Sequence, residues 1–184
     1  IHYRECISVA RSLLRQTPGE GPLMHTLASN LRWLGRSLNV QTDLNAALQA
    51  CEEAVSVAET LSQREPYNSG YRRLYGLACA DFSCVLQSCG SMEEAGALLD
   101  HALGLFRLEV ENNPSSVSVL FQLVYVLSIR AEWLVTGQRQ PEAIENLKEV
   151  LGICEDLLVA DPANRQAATY YQRRCRWLGE IYES

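Results

Sequence analysis

Apolar residues recur in steps of three and four along most of the chain. From Tyr71 the stripe runs through Leu74, Tyr75, Ala78, Cys79, Phe82, Val85 and Leu86, a spacing that predicts an amphipathic helix. A second stripe, Ala95, Leu98, Leu99, Ala102, Leu103, Phe106 and Val110, predicts another. The residues between the stripes fit helix ends. Glu65 precedes Pro66, and a residue before proline is pushed out of the helical region. Asn68, aligned with Ser116 and Asn164, is a good N-cap type. Gly90 suits a helix end, and Ser91 with Glu94 reads as a capping box for the second helix. Asn113-Pro114 closes the pair. No strand is predicted.

This grammar repeats. Pro18, Pro66, Pro114 and Pro162 recur at one constant interval, and Ala47, Ala95 and Ala143 keep the same beat at a fixed offset from the first three prolines. A fixed long period marks an array of one supersecondary unit. In the third unit a first helix (helix A) covers about 116–136, Gly137 lies in the turn, and Pro141 suits the first turn of a second helix (helix B) reaching about 160. In the first unit Pro18 and Pro22 precede a helix A ending near 40, and Asp43 caps helix B. Residues 1–17 read as a partial repeat with helix B alone. Full repeats follow at 18–65, 66–113 and 114–161, and 162–184 is a partial repeat with helix A alone. The expectation is all-α: about eight helices in antiparallel hairpins, cut at both ends from a longer array. Such arrays usually present binding surfaces and rarely do chemistry.

The unit resembles a tetratricopeptide repeat. Leu178-Gly179-Glu180-Ile181-Tyr182 matches the Leu-Gly-x-x-Tyr signature of helix A, and Leu34-Gly35 with Leu38 matches it more loosely. Ala47 stands at the signature's alanine position downstream of Gly35. Repeats two and three place small Ser83 and Ala131 where the signature has glycine, and its second alanine becomes Ala54, Ala102 and Val150. The usual period is about 34 residues, and the repeats here are longer. The surplus of about fourteen divides into about seven per helix, two turns that drift only ~20° in phase and add about 10 Å of length. The pattern is also similar to long-repeat arrays of bacterial signalling proteins, with an Asp-Pro-x-Asn start seen here as Asp161-Pro162-Ala163-Asn164. The resemblance implies a right-handed α-solenoid. It implies a cytoplasmic segment of a larger protein bearing a kinase, NTPase or caspase-like protease domain.

Composition and charge narrow the reading. The chain has 184 residues, 47% hydrophobic and 21% charged, which excludes disorder by composition. A net charge of −6 disfavours nucleic-acid binding by bulk charge. No apolar run of transmembrane length and no signal segment is evident. The cysteine count is odd and no Cys-x-x-Cys pair exists, against a disulfide scaffold or metal site. Cys6, Cys51, Cys79, Cys154 and Cys175 align mostly with Ala, Leu or Phe in other repeats, so they are expected as buried filler. Cys84 aligns with Arg36, Glu132 and Glu180 and is expected to be exposed.

Charge divides by helix. Helix A segments carry Arg32, Arg36, Arg72, Arg73, Arg130, Arg165, Arg173, Arg174 and Arg176 against Asp81, Glu132, Glu180 and Glu183, while most acids lie on helix B segments and turns. All basic residues except Lys148 are arginines, the type suited to bidentate carboxylate or phosphate recognition. The family's concave-face positions map onto His25, Ser29, Arg32, Arg36 and Asn39, then Arg73, Leu77, Cys84 and Gln87. They continue through Phe121, Tyr125 and Glu132 to Arg173, Arg176 and Glu180. The expected function is non-catalytic binding of a protein or peptide carrying acidic groups. Two alternatives stand beside it: oligomerisation or regulatory docking through open array ends, and RNA or polyanion binding by the arginine face. No catalytic, cofactor or metal motif is present: His2, His25 and His101 lack ligand spacing.

Overall fold

The computed structural model describes residues 2–183. Among them are eight α-helices and no strand: α1 (His2–Gln16), α2 (Gly21–Val40), α3 (Leu44–Arg64), α4 (Ser69–Ser88), α5 (Met92–Asn112), α6 (Val117–Thr136), α7 (Gln140–Ala160) and α8 (Arg165–Glu183). The sequence period is the structural period. Gly21, Ser69, Val117 and Arg165 open helices at the same interval as the prolines, as do Leu44, Met92 and Gln140.

The caps explain this regularity. Asn68 accepts from the N–H groups of Gly70 and Tyr71, Asn164 from Ala167, and Asp43 from Ala46, satisfying donors a helix start leaves orphaned. Ser116 holds the N-cap position of α6 without a side-chain cap bond. The turns into the B helices share one left-handed residue, at equivalent positions of successive repeats: Thr42 (φ 62°), Gly90 (φ 84°) and Gln138 (φ 58°).

The chain divides into two compact units, the first reaching Glu109 and the second starting at Val110. In the first, α2 packs against α1, α3 and α4, and α3 also against α4. Its main core joins Leu27, Ala28 and Leu31 of α2 to Ala54, Ala58 and Leu61 of α3 and Leu74 and Ala78 of α4. In the second, α7 packs against α6 and α8. Ala131, Leu134, Ala143, Leu147 and Ile181 form a core there.

Two expectations need correction. Cys51, Cys79 and Cys154 are buried, but Cys6 and Cys175 are exposed. Their aligned positions are covered by neighbouring helices, whereas no described helix covers these faces of α1 and α8. Cys84 is half-buried, its thiol facing the Ala80 carbonyl at 3.5 Å. Second, α6 is long and apolar enough to cross a membrane by length and composition (mean hydropathy 1.4), contrary to the sequence expectation, and 56% of that stretch is buried inside the protein.

Candidate binding face

In the first unit α2 and α4 are packed neighbours, and His25, Ser29, Arg36, Asn39, Arg73, Leu77, Cys84 and Gln87 are all half-buried on them. Arg32 is not open surface. It is 8% exposed and donates from Nη1 to Oδ2 of the fully buried Asp81 at 2.9 Å. Arg36 Nε stands 3.7 Å from the other carboxylate oxygen. One carboxylate from α4 thus holds two guanidinium groups of α2. Such a pair needs its Coulomb gain to offset desolvation.

Those two guanidinium groups lie on Trp33, at 4.7 and 4.8 Å from its ring, within cation–π range. Trp33 remains 41% exposed. Toward the start of α2, His25 packs on Tyr71 of α4 with ring centres 6.0 Å apart. Burial, then the Arg32 charge, lowers the His25 pKa from its ordinary 6.5. Arg73 Nε donates to the Ser69 carbonyl at 3.3 Å.

In the second unit Phe121 meets Tyr170 with centres 5.9 Å apart, and Tyr125 is half-buried. Arg174 pairs with Glu132 at 3.7 Å and lies 5.3 Å from the Trp177 ring. Arg176 donates to Glu180 at 3.0 Å along α8. Arg173 is exposed. The repeat-one cluster of an arginine on tryptophan, tied to an acid of a neighbouring helix, therefore has a looser counterpart at the equivalent Trp177.

Asp81 and Trp33 were not among the candidates that the sequence supplied. A signal for Asp81 was present: it aligns with Trp33, Ile129 and Trp177. A carboxylate in an apolar column calls for a buried cation nearby. Among the described residues no group of three or more His, Cys, Asp or Glu converges to hold a metal ion. The chain matches no family model, no curated protein and no solved structure.

Proposed function

We propose that this chain is a non-catalytic protein-binding segment whose hairpins stack as a right-handed, tetratricopeptide-like solenoid, and that a partner docks on its helix A face. Trp33 carries the reading. It is a large aromatic left partly open, and its flanking guanidinium groups are fixed by Asp81 rather than by solvent. Exposed, pre-ordered tryptophan and arginine are the residue types that dominate binding hot spots. Pre-ordering lowers the entropy cost of docking. Half-buried His25, Tyr71, Arg73 and Leu77 on the same two helices extend the face with mixed polar and apolar groups. Because Asp81 neutralises much of Arg32 and Arg36, the preferred partner is an aromatic-tolerant peptide with a modest acidic character rather than a polyanion. The resemblance of the repeats supports a cytoplasmic setting within a larger signalling protein.

Selection from a random peptide display library tests the idea. Peptides enriched by the wild-type chain should lose most binding to Trp33→Ala and to Arg73→Ala, with helicity unchanged in both. No enrichment, or enriched peptides indifferent to both substitutions, overturns the reading. Arg32 is unsuitable for such a test, because removing it strips Asp81 of a buried partner.

A further inference from the structure

We draw no further inference here: the strongest candidate, the cleft of about 250 Å³ between α1, α2 and α3, has a floor of Ile7, Leu31 and Ala50 that is already buried and a rim whose Arg11 and Glu53 satisfy each other, and nothing in the structure shows what would cover it.

Discussion

Arg72 and Glu109 form a buried ion pair in register positions that the preceding repeat fills with Met24 and Leu61. Arg72 Nη2 lies 2.5 Å and Nε 2.7 Å from Glu109 Oε1, and Glu109 is 1% exposed. Met24 and Leu61 belong to one apolar cluster, so the fold itself displays the hydrophobic alternative. Removing one member of a buried pair strands the other, at about 3–5 kcal/mol, whereas replacing both with packed apolar groups is often neutral or stabilising by about 1–4 kcal/mol. Glu109 Oε2 is already buried without a partner, which adds to the cost of keeping the charge. We therefore expect Glu109→Leu and Arg72→Met to be strongly destabilised singly, and the double variant to match or exceed wild type. Urea unfolding of all four proteins gives the cycle directly. A double variant as weak as the worse single one would contradict it.

The three turns into the B helices supply a second comparison inside one molecule. Gly90 sits at φ 84° without strain, but Thr42 and Gln138 hold φ 62° and 58° with side chains attached. A left-handed conformation costs a non-glycine residue roughly 1–2 kcal/mol, partly offset by the larger entropy glycine loses on folding. Thr42→Gly should gain up to about 1 kcal/mol, Gln138→Gly somewhat less, and Gly90→Ala should lose about 1 kcal/mol. Thr42 should gain most because β-branching crowds that conformation further. Thermal midpoints decide the order; a loss on Thr42→Gly would show that its side chain holds the turn.

The register of the helices was legible in the sequence because caps and prolines act locally. Asn68, Asn164 and Asp43 bond N–H groups two or three positions away, so their columns state where helices begin. What reaches across helices was harder to read. Sorting charge by helix counted Arg32 as open because it ignored Asp81, which is 49 residues away in sequence but 2.9 Å away in space. Both buried pairs leave the same trace, a charge in an apolar column: Asp81 among Trp33, Ile129 and Trp177, and Glu109 among Leu61 and Leu157. The cysteines show the converse error. A column assigns burial only where a neighbouring helix supplies the cover. Cys6 and Cys175 share columns with buried residues yet face outward.

That difference should appear in thiol chemistry. Burial pushes the Cys51 and Cys79 thiols up to about 12, and Cys154 to about 11. Because the thiolate is the reactive form, these three should resist alkylation of the native protein at pH 8. In dilute protein Cys6, Cys89 and Cys175, all exposed, should label fast, with Cys84 slower. Timed labelling followed by peptide mass mapping reads each site. Fast labelling of Cys51 or Cys79 would mean that the first unit opens locally far more often than its core implies.

His25 should set a pH dependence of stability whose sign follows from its surroundings. Half-buried on α2 beside Tyr71 and near Arg32, its folded pKa lies below the 6.5 of the free imidazole. Above pH 6.5 the ring is neutral in both states and contributes no pH dependence. As pH falls below 6.5 the unfolded chain binds the proton first, so stability declines, with a slope of at most about 1.4 kcal/mol per pH unit for one proton. The decline stops once pH passes below the folded pKa, where both states are protonated. His25→Gln abolishes this component, and its stability curve should run flatter than wild type just below pH 6.5. Titration of the carboxylates acts on both proteins alike, so the difference between the two curves isolates the ring. Urea midpoints in small pH steps, with the His25 ring followed by NMR, measure both sides of the linkage. Coincident curves would mean that α2 and α4 separate enough in solution to hydrate the imidazole, and the packing of His25 on Tyr71 would then be too loose to order that part of the binding face.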